Sequence, residues 1–262
     1  MAYDPVSQSV FTTNGDANTI DVIDISDVNA PTLTTQIDLG DFGGGVQSVA
    51  TGDGVVAAAV KADDDTEPGS VAVFTTAGAF VASYQVGVLP DAIAFTPNGR
   101  FIGVANEAEP VCEEQDGEDV LLVDPEGSIS IIDTTASDPA SAVATADFNA
   151  FDSQRDALLA SGVRIFFPGS SVSQDLEPEF VTVSADGATA YVTLQENNAI
   201  AVVDIATATV NSILPLGYKD HSVAGNGLDA SNDDGVELIQ TRDVLGMYQP
   251  DAVAAPMLGG TT

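Results

Sequence analysis

The chain has 262 residues, 40 of them acidic and 6 basic, for a formal net charge of −34, yet 44% of its residues are hydrophobic. That apolar share supplies a core and excludes disorder as the reason for the charge. The anionic surface repels nucleic acid and anionic lipid, and favours cations or a saline solvent that screens self-repulsion.

No apolar run approaches the ~20 residues of a membrane span, and MAYDPVSQ does not read as a signal peptide. Cys112 stands alone, so no intrachain disulfide forms. No glycine-rich loop followed by Lys is present to cradle a phosphate.

In chain order, SVFTTNG and NTIDVIDIS (9–26) alternate apolar and polar residues as strands do, and the repeat makes the opening strand a second one. VQSVATGDGVVAAAV and GSVAVFTT (46–76) follow, with Asp53-Gly54 as a hairpin turn. The fullest copies are LPDAIAFTPNGRFIGVANE (89–107) and EPEFVTVSADGATAYVTLQE (177–196). Each is a loop with Pro and a carboxylate, a strand, a tight Asn-Gly or Asp-Gly turn, a second strand and an acidic loop. A third strand follows as GSISIIDTT (127–135) or NAIAVVDIAT (198–207), and YQPDAVA (248–254) begins another copy.

Repetition of this kind predicts an all-β fold, a β-propeller of four-stranded antiparallel blades. The blades run approximately over 1–42, 46–88, 89–176 and 177–217, with an excursion over 218–248 and the start of a next blade over 249–262. That last copy predicts a partial propeller, a fragment of a longer chain; ring closure into four or five blades is the alternative. Asp91 and Glu179 stand about twice the ~40–45 residues of a blade apart. The excess is an acidic loop (107–126) and one short helix near 150–161, capped by Asn149 or Asp152 and stopped by Gly162.

Blade geometry opens the loop before the first strand and the loop after the second onto one rim. The first set carries Asp91, Asp175, Glu177, Glu179 and Asp251; the second carries Asp63, Asp64, Asp65, Glu107, Glu109 and Glu196. The 218–243 excursion adds Asp220, His221, Asp229, Asp233 and Asp234. Hard oxygen donors with a single His suit Ca²⁺ or Mg²⁺, not zinc. The metal candidates are therefore Glu107, Glu109, Asp175, Glu177, Glu179, Glu196, Asp220, Asp229 and Asp251. Asp24, Asp133 and Asp204, ending third strands, read as turn-binding carboxylates instead.

The runs DLEPEFVTVS (175–184), LQENNAIAVVD (194–204), LGYKDHS (216–222), GNGLDASNDDG (225–235) and GMYQPDAVA (246–254) resemble the choice-of-anchor I family of secreted bacterial propellers. YVTLQENNAIAVVDIATATV (191–210) is similar to the YVTN-type repeat, with Leu194 at its Asn position. The resemblance covers essentially the whole chain. It implies an extracellular or cell-surface module, related to mesenchyme-specific cell-surface glycoproteins, that binds divalent cations and a surface or extracellular ligand. Alkaline-phosphatase-like members make a metal-dependent phosphoesterase the alternative, for which His221, Lys219 and Arg242 are the catalytic candidates.

Overall fold

A strand apolar at successive positions, such as the Val-Val-Ala-Ala-Ala-Val run over 55–60, presents apolar side chains to both faces, so its sheet can be buried on both sides when stacked between two others. The computed structural model of the chain, which describes residues 1–115, 118–231 and 233–256, is built this way. β1 (Ala2–Asp4), β2 (Ser9–Asn14), β3 (Thr19–Asp24) and β4 (Thr32–Asp38) form the first antiparallel sheet. β5 (Gly45–Gly52), β6 (Val55–Lys61), β7 (Pro68–Thr75) and β8 (Phe80–Val88) form the second.

The third sheet begins with β9 (Pro90–Phe95) and β10 (Phe101–Asn106), is interrupted by the hairpin β11 (Val111–Gln115) and β12 (Glu118–Val123), and is completed by β13 (Ser128–Asp133) and β14 (Val143–Asp147). After α1 (Arg155–Ser161) and the single turn α2 (Val172–Asp175), the fourth sheet comprises β15 (Pro178–Val183), β16 (Thr189–Leu194), β17 (Ala199–Asp204) and β18 (Thr209–Pro215). A last hairpin pairs β19 (Tyr218–Asp220) with β20 (Leu245–Met247).

The four sheets are blades of a β-propeller, and an apolar layer separates each from the next. Phe11, Ile20, Val22 and Leu39 meet Val49, Val56, Ala58, Val60 and Phe74 between the first two blades. From the same strand β6, the alternate residues Ala57 and Ala59 face the other way and join Val71, Ile93, Ile102, Val104 and Ile132. A third layer sets Ile129, Ile131 and Phe148 against Val192, Leu194, Ala201 and Val203. Each side chain as enclosed as Ile102 or Val192, both with 0% exposure, contributes about 1.5–3 kcal/mol.

Two expectations are corrected. The chain opens on a first strand, because Ala2, Tyr3 and Asp4 pair with Phe11, Val10 and Ser9. The 149–161 segment is helical, but residues Asn149–Gln154 wind as a 3-10 helix before α1 begins, and neither Asn149 nor Asp152 caps it. Asp152 instead accepts from Ser173 N at 2.9 Å, tying this segment to α2. Gly162 ends α1 as expected, with φ 106° and its N–H on the Leu158 and Leu159 carbonyls. The next-blade start expected over 249–262 lies outside the described residues from 257 onward. No helix among the described residues is long and apolar enough to cross a membrane.

Candidate functional site

Three blades carry the same irregularity at the start of the innermost strand. Pro90 pairs with Asn106 and Ala92 with Ala105, leaving Asp91 as an extra residue. Pro178 pairs with Leu194 and Phe180 with Thr193, which leaves Glu179 extra. In the second blade Val46 pairs with Val60 and Ser48 with Ala59, so Gln47 holds the equivalent place. A bulge re-aims its extra side chain away from the regular alternation. Asp91 and Glu179 thereby leave the apolar layers and meet at one mouth.

One position beyond the residue that pairs at each bulge stand Lys61 in the second blade, Glu107 in the third and Gln195 in the fourth. Lys61 is tied to Asp65 at 2.8 Å, so of these three positions the third blade's is the acidic one. Asp64 accepts from Thr66 N at 3.0 Å. Glu107 is fixed by its N–H to the Leu89 carbonyl at 2.9 Å. Ala108, fully buried with φ 57°, turns the chain between Glu107 and Glu109. Such a conformation is unusual for a residue with a Cβ and costs of order 1–3 kcal/mol.

The electrostatics show which carboxylates converge. Burial, then the charges of Glu179, Asp91, Glu109 and Glu177, push Glu107 up to about 9. Burial, then Asp91, Glu196 and Asp251, raise Glu179 to about 7, partly offset by a hydrogen bond with Glu107. Near neutral pH, Glu107 thus keeps its proton and donates it to Glu179. Burial alone raises Asp91.

Glu177 lies deeper, with 4% of its surface exposed. Burial, then Glu196, Asp175, Glu109 and Asp124, lift it to about 8. Its backbone N–H donates to Asn197 Oδ1 at 3.2 Å. Burial, followed in influence by its own N–H, which opposes the shift, and by Glu109, raises Glu196, whose Oε2 is enclosed without a partner. Glu107, Glu109, Glu177, Glu179 and Glu196 therefore form one group. Asp251 joins it through the Gln195 amide, which donates to its carboxylate.

The other candidates hold the frame. Asp175, 1% exposed, accepts from Phe166 N at 2.9 Å, from Phe167 N at 2.6 Å and from Asn197 Nδ2 at 3.0 Å. Both its oxygens are spent, so it anchors the loop before β15 instead of serving as an open ligand. The sequence carries a sign of this turn: Ser171 and Gln174 form a capping box on α2.

Asp220 bonds Ser222 N at 2.8 Å. Asp229 bonds Leu238 N at 3.2 Å. Neither is among the charges that raise the mouth glutamates. His221 Nδ1 lies 2.6 Å from the Asn226 carbonyl, and with the Gln240 amide turned to face it, Arg242 donates to that amide oxygen at 2.7 and 3.1 Å. Lys219 is exposed on β19. These three groups stand on the last hairpin, where nothing favours catalysis over support. Asp24, Asp133 and Asp204 bind turn N–H groups of Ser26, Thr135 and Thr207.

Sequence reasoning missed Asn197 and Asn198. Asn197 is fully buried and donates to the carbonyls of Arg164 and Asp175 at 3.0 and 2.7 Å while receiving the Glu177 N–H. Asn198 has φ 52°, donates to the Gly217 carbonyl at 2.8 Å, and accepts from Tyr248 N and Gln249 N at 2.9 and 3.3 Å. It holds the segment that carries Asp251. Arg164 donates to the Glu196 carbonyl at 3.0 Å and lies 3.9 Å over the Phe166 ring, the one basic side chain whose charge opposes the rise at Glu196. Among the described residues no three His, Cys, Asp or Glu side chains already stand as a formed metal site.

The profile of the choice-of-anchor I domain matches residues 1–262. No curated protein matches. Hydrazine synthase of Kuenenia stuttgartiensis is 16% identical with a TM-score of 0.45, over 78% of this chain and 51% of that one. A chain of the nidogen/laminin complex is 13% identical with a TM-score of 0.49, over 82% of this chain and 62% of that one. The chain therefore spans less than two thirds of the length of either.

Proposed function

The chain belongs to the choice-of-anchor I domain family, and from that premise we propose that this surface-type β-propeller is a secreted or cell-surface binding module whose acidic mouth takes a divalent cation, calcium or magnesium, and presents it to a surface or extracellular ligand. Glu177, 4% exposed, carries the proposal. Burying a carboxylate is costly unless something pairs with it, and the charges that act on this one are those of Glu196, Asp175, Glu109 and Asp124, with no basic group among them. Oxygen-rich surroundings of that kind fit a hard cation. Binding would draw the side chains together, trading mutual repulsion for shared attraction.

Calorimetric titration of the whole chain with CaCl₂ and MgCl₂ tests the reading, alongside thermal melts in either salt and in chelator. Measurable binding of either cation with a rise in melting temperature at fixed ionic strength is expected. No heat of binding and an unmoved midpoint with both cations overturn it.

A further inference from the structure

We infer that a cleft between the first two blades, floored by β7 and β8 and walled by the 39–44 loop, is a second binding site, which takes a neutral saccharide. It shares none of the mouth carboxylates of the third and fourth blades and needs no metal. The cleft has a volume of about 380 Å³, and Asp41, Phe42, Asp63, Ser70, Ser83 and Gln85 line it. That size falls within the range of small-ligand sites. Ser83 and Gln85 are alternate residues of β8, and Gln85 stands opposite Ser70 of β7, so the three share one face of the sheet.

The wall is held in place before any ligand arrives. Asn18 Nδ2 donates to the Gly43 carbonyl at 2.9 Å, Ser70 Oγ to the Phe42 carbonyl at 2.8 Å, and Gly44 N to the Lys61 carbonyl at 2.9 Å. The loop thereby touches both blades. A Cβ at Gly43 would stand 2.2 Å from the Lys61 carbonyl oxygen, so only glycine allows that approach. The Phe42 ring is fixed as well, edge-on to Phe74 at 5.7 Å and stacked with Phe80 at 5.4 Å. Phe80 is 56% exposed and carries this apolar surface out to solvent.

The chemistry of the lining selects the ligand. Asp41 and Asp63 accept hydrogen bonds, whereas the Ser83 hydroxyl and the Gln85 amide both donate and accept. Every hydroxyl of a sugar can likewise donate and accept, and its ring adds C–H groups that suit the Phe42 and Phe80 surface. An anionic ligand is opposed by the two carboxylates and by the net charge of −34. A wholly apolar one would strip water from those carboxylates without replacing it. A simple ammonium ion would answer the carboxylates but offer no acceptor to Ser83 or Gln85.

Saturation-transfer NMR on the whole chain in chelator decides the matter. The probes are glucose, galactose, mannose, N-acetylglucosamine, cellobiose and maltose at millimolar concentration, with glucuronate and tetramethylammonium as the charged comparisons. Binding of at least one neutral sugar is expected, with neither charged probe retained. Affinity should fall ~10-fold or more in Asp41→Asn and in Gln85→Ala, tenfold being about 1.4 kcal/mol. Asp156→Asn, which removes one exposed charge on α1, should leave it unchanged. Both cleft variants alter exposed side chains, and circular dichroism with a melt establishes that each is folded.

Failure of every neutral sugar to bind overturns the inference, and retention of tetramethylammonium alone replaces it with a cation site. Sugar binding that survives both cleft variants places the site elsewhere and overturns it too. Because chelator is present throughout, each of these outcomes leaves the cation reading of the mouth standing.

Discussion

Asp91 and Glu179 hold the same place in two adjacent blades, each the unpaired residue of a bulge one position after a proline at the start of the innermost strand. The Asp91 charge acts on Glu179, being the largest charged contribution to its raised pKa. Repetition of a backbone irregularity, more than repetition of strands, is what gathers acid at one end of the propeller.

The first prediction concerns pH. Glu107, Glu177 and Glu179 hold their protons to about 9, 8 and 7 in the folded chain, against 4.5 ordinarily. Between those values the native state binds more protons than the unfolded one, so stability falls as pH rises. Stability contributed by these groups is complete below about 4.5 and is lost on passing through 7 to 9. In chelator, the melting temperature should drop from pH 5.5 to pH 9, and Glu107→Gln should flatten that slope. A midpoint that rises over this range contradicts the assignment.

Salt provides the second. A net charge of −34 repels itself over a Debye length of about 30 Å at 0.01 M and about 3 Å at 1 M. Thermal melts in chelator should therefore move upward with sodium chloride across that span, and calcium should add a further rise at constant ionic strength. A midpoint indifferent to both salts rejects adaptation to a saline medium together with chelation.

Asn198 supplies the third. Its side chain accepts the Tyr248 and Gln249 N–H groups and donates to Gly217 O. Asn198→Ala leaves those groups without partners at a cost of about 1–3 kcal/mol and also removes a side chain suited to φ 52°. Limited proteolysis should cut within 221–256 earlier in the variant, while the four blades stay resistant. Unchanged cleavage means that Asn198 does not hold the segment.

The blades were legible because their signals are local. Alternation in NAIAVVDIAT, a turn at Asp186-Gly187 and repetition of Pro-Asp or Pro-Glu before a strand need no partner to be seen. The three-residue strand at Tyr3 shows too little alternation to be recognised, so the opening of the first blade was misassigned. A bulge is a relation between two strands, so neither Gln47 nor Glu179 could be identified as an extra residue before the register was known. Asp175 looked like its acidic neighbours, and only the N–H groups of Phe166 and Phe167 around it distinguish an anchor from a ligand. Asn197 and Asn198 are adjacent and chemically alike; their different tasks depend on which loops happen to pass each of them.

Gln47, Asp91 and Glu179 belong to none of the three apolar layers, so the mouth is written one letter per blade on a frame that does not read the letters. Drift or design can edit its charge step by step without renegotiating the packing. Replacing Gln47 with Glu would carry the acid round to the second blade, and replacing Asp91 with Asn would withdraw it toward the fourth. A lineage built on this plan can change what it holds while keeping how it folds.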